Sequence, residues 1–257
     1  MKKGLQHLWT VLLLSCLAAC STLLPEPSLS PQKKQEVAEL NAQLGSQYLL
    51  QGKLNLAEKK FLKALDYKPK LVPAHIGLAL VYEQQGKVLL AGQNYQIALK
   101  LAPKDPDTLN NYGTFLCRNG KISEAEEYFL AAAKSAQNMQ PERAYENAGI
   151  CYLRVPDYAK SETYLRLALK ESPELPQALF SMARVSLETE NYIKAKGYLT
   201  QYHELNGQSA QSLQLAIEIE ERFGVVDQAN IYKTLLLQKF PDSEPARTLR
   251  AIQSVGG

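Results

Sequence analysis

The four cysteines are the residues best suited to covalent chemistry, and two of them, Cys16 and Cys20, lie near the amino terminus. Cys16 lies within an apolar stretch over residues 8–19, which follows two lysines, and Cys20 comes directly after it. At about a dozen residues, this stretch is shorter than the roughly 20 residues that a membrane-spanning helix needs. A basic start, a short apolar segment and small residues are typical of a secretory signal peptide, which we predict over residues 1–19.

The tetrapeptide Leu17-Ala18-Ala19-Cys20 resembles a bacterial lipobox, in which the chain is cut before the cysteine and the thiol is acylated. We predict Cys20 as that lipidation site; the alternative is an ordinary signal cut near Ala19 beside a chance cysteine. Ser21 follows Cys20, and by resemblance to sorted lipoproteins of diderm bacteria this indicates the periplasmic face of the outer membrane. Acyl chains contribute about 0.8 kcal/mol per buried methylene, so they would anchor the chain without a spanning helix.

The segment after Cys20 is rich in proline and serine. Pro25, Pro27 and Pro31 disfavour a helix, and we predict a flexible, lipid-anchored tether over residues 20–37. Fully extended, the tether would reach roughly 50 Å from the bilayer.

The rest of the chain offers little for catalysis or for nucleic-acid binding. Without residues 1–19 the net charge falls from +3 to +1, because two lysines are lost, and no basic block remains. His75 and His203 lie far apart, no Cys or His cluster has metal-ligand spacing, and no glycine-rich phosphate loop is present. We therefore predict no enzyme, no metal, no cofactor, no nucleic acid and no small-molecule substrate. The carboxylates of 124–127 are expected on a solvated helix face.

A 34-residue period organises the chain. Leu44-Gly45, Tyr48, Gly52, Ala57, Phe61, Ala64 and Pro69 recur as related residues after 34 positions, and all but Pro69 recur again after 68. The register then slips by two residues within 135–143, and three further units follow, the fifth weaker than the others. This is the tetratricopeptide pattern, in which each unit is a pair of antiparallel helices.

Small residues at fixed positions predict how the helices of each unit meet. Gly45 and Ala57 mark close crossings, Gly52 marks the turn inside the pair, and Pro69 ends the second helix. Because a single pair cannot bury its apolar faces alone, neighbouring pairs must stack. We predict an all-α, right-handed superhelical solenoid of about six pairs over residues 38–245, with a C-terminal tail over 246–257. The first helix of each pair should line its concave face.

Cys117 and Cys151 remain for redox chemistry in an oxidising periplasm. They fall on the first helices of units three and four, two pattern positions apart. Two positions correspond to roughly 200° around a helix, so one side chain can point forward and the other back. We predict a disulfide between them; two buried thiols are the alternative.

The concave face is the expected partner-binding surface. Arginines beside aliphatic residues suit a peptide segment with acidic and apolar groups; a plainly solvated inner wall is the alternative. Projecting the inward-facing positions of units three, four and five gives twelve candidates: Asp107, Asn110, Thr114, Arg118, Arg143, Glu146, Ile150, Arg154, Gln177, Phe180, Arg184 and Leu187.

Four phrases are more specific than the generic repeat: residues 109–129, 141–154, 191–205 and 239–246, of which the first two carry the remaining cysteines. Together with the lipobox, the tether and the six units, they resemble the type IV pilus biogenesis lipoproteins of the PilW/PilF family. The phrase at 154–162 departs from the repeat pattern, with Pro156 and Ser161 at positions usually held by glycine and alanine.

The resemblance implies a pilotin-like function at the outer membrane. Members of this family help the secretin, the ring through which pili emerge, to reach the membrane and form a multimer. The implied partner is the secretin or another type IV pilus protein, bound in the concave groove. A periplasmic scaffold for outer-membrane protein insertion or for cell-wall enzymes is the alternative. A second alternative, an enzyme with an unrecognised site, is disfavoured by the lack of catalytic motifs in the sequence.

Overall fold

The computed structural model of the chain describes residues 29–255. Thirteen α-helices and no strand occur in this range. The predicted signal peptide, Cys20 and the first part of the tether lie outside the described residues. The helices are α1 (Pro31–Leu50), α2 (Leu54–Tyr67), α3 (Val72–Gln84), α4 (Val88–Leu101), α5 (Pro106–Arg118), α6 (Ile122–Ala133), α7 (Pro141–Leu153), α8 (Tyr158–Glu171), α9 (Pro176–Glu188), α10 (Tyr192–Asn206), α11 (Ala210–Phe223), α12 (Val226–Lys239) and α13 (Glu244–Val255).

The helices form six successive pairs, which we number units one to six from α1–α2 to α11–α12. Within each pair the two helices pack along their length, and the second helix also packs on the first helix of the next unit. The prediction of an all-α solenoid of about six helix pairs is confirmed. No helix between residues 29 and 255 is both long and apolar enough to cross a bilayer.

Close crossings occur where the sequence places small residues. The ring of Phe61 fills the space beside Gly45 and Gly77, where an added Cβ atom would lie 2.8 Å and 2.2 Å from the ring. In unit four, the departure from the repeat pattern is accommodated by a hydrogen bond. Ser161 is buried there, and its hydroxyl donates to the carbonyl oxygen of Gly149 at 2.8 Å.

Both predicted ends of the solenoid need correction. Residues 31–37 are helical rather than part of a tether, because Pro31 occupies the first helical position, where its missing N–H costs nothing. Ser30 caps this helix by accepting a hydrogen bond from the backbone N–H of Lys33. Residues 246–255 are likewise helical rather than a tail. Ala246 of α13 is fully buried against α11 and α12, so this helix covers the last unit.

Tight turns connect the two helices of each unit. Gly52, Gly86, Gly120 and Gly224 adopt the left-handed conformation there, as their place in the repeat predicts. Unit five lacks a glycine at this position, and Glu190 takes the left-handed conformation with φ 59°. A non-glycine residue in this conformation is strained, so the packing of α9 on α10 must hold the turn.

Candidate partner-binding groove

The first helices of units one to three line one open depression, with a volume of about 500 Å³. Leu49 of α1 and Ile76 and Leu80 of α3 supply its apolar floor, and Asp105 and Asp107 lie at its edge. Because three successive first helices share this surface, it is the concave side of the solenoid. We call the solvent-facing side of α1, α3, α5, α7 and α9 the inner wall.

The twelve predicted groove residues differ in their exposure on this wall. Exposed side chains can reach a partner directly, half-buried ones can do so in part, and buried ones cannot. The exposed residues are Asp107, Arg118, Arg143, Arg154 and Gln177; the half-buried residues are Thr114, Glu146, Ile150, Phe180 and Arg184; the buried residues are Asn110 and Leu187.

Two of the twelve are structural rather than partner-facing. Leu187 is fully buried in a cluster with Ala195 and Leu199, so its assignment to the groove is wrong. Asn110 is also buried, and its Oδ1 accepts a hydrogen bond from Asn147 Nδ2 at 3.0 Å. The projection failed at Leu187 because a neighbouring unit covers that turn of α9.

Arg118 binds an acid of the preceding unit. Its guanidinium donates to Glu83 Oε2 at 3.2 Å, and the hydroxyl of buried Tyr95 donates to Glu83 Oε1 at 2.6 Å. Burial raises the pKa of Tyr95, and the neighbouring Glu83 carboxylate raises it further. Arg118 therefore balances a carboxylate at the junction of units two and three while 55% of its side chain stays exposed.

The register slip adds a small pocket to the inner wall. Asp107, Arg143, Asn138 and Met139 line it, with a volume of about 170 Å³. Met139 lies within residues 135–143, where the register slips, and its side chain is 90% exposed. Asp107 and Arg143 are 3.9 Å apart and largely exposed, so this ion pair contributes little to stability and leaves both groups accessible.

Glu146 does not offer a free carboxylate to the groove. Its Oε1 atom is buried without a hydrogen-bond partner among the described residues. Burial raises the pKa of Glu146, although the backbone N–H of Ala178 in the first turn of α9 and the charge of Arg143 act in the opposite direction. Glu146 is therefore a partly desolvated acid at the junction of units four and five.

The prediction missed the apolar part of the groove. Subtracting 34 from the positions of Asn110 and Thr114 gives Ile76 and Leu80, which line the large depression. The same repeat that located the candidates of units three to five thus locates these residues of unit two. The inner wall is apolar in units one and two and rich in arginine in units three to five.

A disulfide joins Cys117 of α5 to Cys151 of α7, whose Cα atoms are 5.8 Å apart. This distance is usual for disulfides. Both residues are buried, and the bond lies at the junction where the repeat register slips by two residues. It holds the first helices of units three and four side by side.

The same junction is held by a carboxylate with three donors. The hydroxyls of Tyr152 and Tyr164 donate to Glu126, the first at 2.7 Å, and Lys160 Nζ donates at 3.2 Å. Burial alone would raise the pKa of Glu126, but these hydrogen bonds outweigh it and lower the pKa below its ordinary value. Glu126 is therefore an ionised bridge from unit three to unit four rather than part of a loosely solvated run.

The two histidines of the described range are engaged in packing. His75 is buried between Asn94 Oδ1 and the carbonyl oxygen of Pro69, at 3.1 Å and 2.9 Å from its ring nitrogens. His203 lies 2.8 Å from the Ser212 hydroxyl, and burial lowers its pKa. Among residues 29–255, no three His, Cys, Asp or Glu side chains converge as a metal site would require.

Comparison with known proteins identifies the repeat. Tetratricopeptide-repeat models match residues 43–106 and 116–176, and a second such model matches residues 94–127. Together they cover just over half of the chain. An uncharacterised protein of Haemophilus influenzae is 34% identical over 124 residues, which is 48% of this chain and 69% of that protein.

The chain is similar to two named pilus proteins over most of its length. The type IV pilus assembly protein PilF of Pseudomonas aeruginosa is 29% identical over 228 residues, covering 88% of this chain and 90% of PilF. A PilF structure superimposes with a TM-score of 0.72 over 85% of this chain and 98% of that one, at 28% identity. The crystal structure of PilW, a widely conserved type IV pilus biogenesis factor, superimposes with a TM-score of 0.77 at 27% identity over 83% of this chain and 98% of PilW. The chain therefore belongs to the tetratricopeptide-repeat proteins, and over most of its length it is similar to the type IV pilus proteins PilF and PilW.

Proposed function

We propose that this protein is an outer-membrane lipoprotein, acylated at Cys20, that assists assembly of the type IV pilus secretin by holding a partner segment on its inner wall. The observation that carries the proposal is similarity to PilF and PilW over nearly their whole length. Because the match covers most of each protein, the similarity rests on the whole chain rather than on one generic repeat.

The inner wall indicates the chemistry of the segment. Its apolar part, around Leu49, Ile76 and Leu80, suits aliphatic or aromatic side chains that lose contact with water on binding. Further along, Arg154 and Arg184 form no salt bridge with a described residue and suit carboxylates of the ligand. We expect an extended or helical segment with apolar residues at one end and acidic residues at the other.

The proposed action involves no bond chemistry. Anchoring the solenoid at the membrane would raise the local concentration of the bound secretin segment there, which lowers the entropic cost of bringing subunits together. The protein would thus act as an adaptor in pilus biogenesis and twitching motility.

Deletion of the gene tests the function. We expect loss of surface pili, twitching and secretin multimers, with unchanged amounts of other outer-membrane proteins. Normal multimers and normal twitching would reject the proposal. A general fall in outer-membrane proteins or a defect in cell-wall synthesis would favour the alternative scaffold function instead.

Complementation of the deletion strain tests the inner wall separately. Val72 and Leu80 both line the apolar depression, so we expect the double variant Val72→Ser with Leu80→Ser to make it polar and to lose multimers. The triple variant of Arg118, Arg154 and Arg184 to serine should weaken capture of the partner. Ile193→Ser with Ile231→Ser is the matched control, since these isoleucines are exposed on second helices. Full activity of both inner-wall variants, with unchanged thermal unfolding, would contradict binding at this wall.

A further inference from the structure

The near-balanced charge of the chain is unevenly distributed along the solenoid. Residues 29–104, which contain units one and two, carry eleven lysines and five carboxylates. Residues 105–255 carry sixteen basic and twenty acidic residues. The net charge is therefore +6 in the first part and −4 in the second, so one end of the solenoid is basic.

The lysines of the basic end lie beside exposed apolar residues on the second helices. Leu62 of α2 is 45% exposed, and Leu89 and Ile97 of α4 are 76% and 40% exposed. On the same helices, Lys59, Lys63 and Lys100 are exposed and turned away from the core. We call this surface the outer face of units one and two, defined by Lys59, Leu62, Lys63, Leu89, Ile97 and Lys100.

The repeat shows that three of these positions, Leu62 of α2 and Ile97 and Lys100 of α4, face the same side. In units four and five, Arg166 of α8 and Gln201 and Glu204 of α10 border one shallow depression of about 630 Å³. The equivalent positions in units one and two hold Leu62, Ile97 and Lys100. At these three positions the outer surface is therefore polar in units four and five, but apolar and basic in units one and two.

The charges of this outer face are not neutralised within the described part of the chain. No described carboxylate lies within salt-bridge distance of Lys59, Lys63 or Lys100; Lys63 lies over the ring of Tyr67 at 5.4 Å. Of the two acids of α2, Glu58 accepts a hydrogen bond from Gln85, and Asp66, which is exposed near Leu62 and Lys63, forms no salt bridge with a described residue. The lysines are thus free to meet an external anionic surface.

We propose that the outer face of units one and two binds the surface of an anionic phospholipid bilayer. Lysine side chains can extend along apolar surface and keep the ammonium group at the level of the headgroups. The leucine and isoleucine side chains between them would enter the acyl boundary, as in peripheral amphipathic helices. These aliphatic residues favour a lipid surface over a nucleic acid, whose contacts would need only the positive charge.

This contact would orient the molecule. With the convex outer face on the bilayer, the inner wall faces away from the membrane, where a soluble partner segment can reach it. The inference is independent of which pilus protein is bound and does not require the acyl group.

The test uses residues 21–257, so that neither an acyl chain nor the signal peptide contributes to binding. Every buried side chain of the described range lies between Ala38 and Ala246, so this form keeps the whole described core. Binding is measured by cosedimentation with vesicles of phosphatidylethanolamine and phosphatidylglycerol, and with neutral vesicles of phosphatidylethanolamine and phosphatidylcholine. We expect binding to the anionic vesicles alone, weakening as salt is added.

A triple variant tests whether this face, rather than the overall charge of the protein, binds the vesicles. Lys59→Glu, Lys63→Glu and Lys100→Glu together should weaken binding by about tenfold or more. The matched control, Lys134→Glu, Lys170→Glu and Lys194→Glu, makes the same charge change on exposed lysines of units three to five and should keep most of the binding. Equal losses in both variants, or no binding of the unaltered protein to anionic vesicles, would overturn the proposal.

A second variant tests the apolar part of the contact. Leu89→Gln with Ile97→Gln should weaken the binding that remains at high salt, because apolar insertion is not screened. If the variant leaves vesicle binding unchanged and instead converts a dimer to a monomer in sedimentation, the face binds a second copy of the chain and the proposal is wrong.

Discussion

Unit one and unit four are built on the same pattern but are held to their neighbours differently. Phe61 of unit one is fully buried and packs against Gly45 of its own unit and Gly77 of the next, and Glu58 of unit one accepts a hydrogen bond from Gln85 of unit two. At unit four, the disulfide of Cys151 and the carboxylate of Glu126 join two units in addition to apolar packing.

The difference coincides with the register of the repeat. Units one to three follow each other at 34 residues, whereas unit four is displaced by two residues. Apolar packing is non-directional, so it holds a regular stack but does not by itself select one offset among several. A disulfide and hydrogen bonds to a charged group have fixed geometry and can select it. The regular junctions also have hydrogen bonds to a carboxylate, at Glu58 and at Glu83, but the irregular junction adds a covalent bond to the bridge at Glu126.

The largest effect is expected from Phe61→Ala, since truncating a buried phenylalanine costs about 3–5 kcal/mol. The loss should be confined to units one and two, because each unit contacts mainly its neighbours. Hydrogen exchange resolved by segment measures this: amides of α1 to α3 should lose protection, while those of α7 to α9 keep theirs. Uniform loss over all six units would show that the two regions are not separable. Leu62→Ala, at an exposed position of the same helix, is the control.

Reduction of the disulfide should have the next largest effect. A bond that closes a loop of 34 residues is expected to stabilise the fold by about 3–4 kcal/mol. Urea unfolding with and without a reductant measures the change, and here the loss of protection should centre on α5 to α8. The double variant Cys117→Ala with Cys151→Ala should match the reduced protein and no longer respond to the reductant. An unchanged midpoint on reduction would contradict a stabilising bond.

Glu126→Gln should cost about 1.5–3 kcal/mol, since it weakens hydrogen bonds made to a charged group. The lowered pKa of Glu126 sets the pH dependence. Its stabilisation is present above the ordinary pKa of a glutamate and is lost as the pH falls through the lower folded value. The variant should therefore lack this part of the acid-induced loss in urea titrations.

Glu127→Gln is the control for Glu126, because Glu127 is the exposed neighbour in α6. Equal effects of the two variants at neutral pH would mean that the bridge to Tyr152, Tyr164 and Lys160 does not support the junction.

The smallest effect is expected at Glu146, and its sign is opposite. Burial raises the folded pKa, so the protein loses stability as the pH rises from the ordinary value through the raised one. Glu146→Gln should stabilise the fold by about 0.5–1 kcal/mol at neutral pH and flatten that pH dependence. Thermal unfolding at a series of pH values measures this, with the exposed Glu171→Gln as control. Destabilisation by Glu146→Gln at neutral pH would show that the charged form is required.

The repeat pattern predicted far more of the fold than of the groove. The closely packed positions, such as Gly45 and Ala57, follow from steric demands that recur every 34 residues and so can be read from residue types. The ends of the solenoid could not be read in this way. Pro31 was expected to prevent a helix yet begins one, and Ala246 was assigned to a tail yet is buried, because a terminal helix is stabilised by its neighbour rather than by the repeat.

By itself, the amino-acid sequence determined the number of units, the turns, the close crossings and the half-turn offset between Cys117 and Cys151, because each depends on local sterics or on helix periodicity. Only the tertiary structure decided which wall residues meet solvent. Leu187 is covered, Arg118 is paired with Glu83, and Ile76 and Leu80 are open, since exposure and pairing depend on how helices from different units approach one another. That approach is a sum over many contacts along the solenoid, which no single repeat contains.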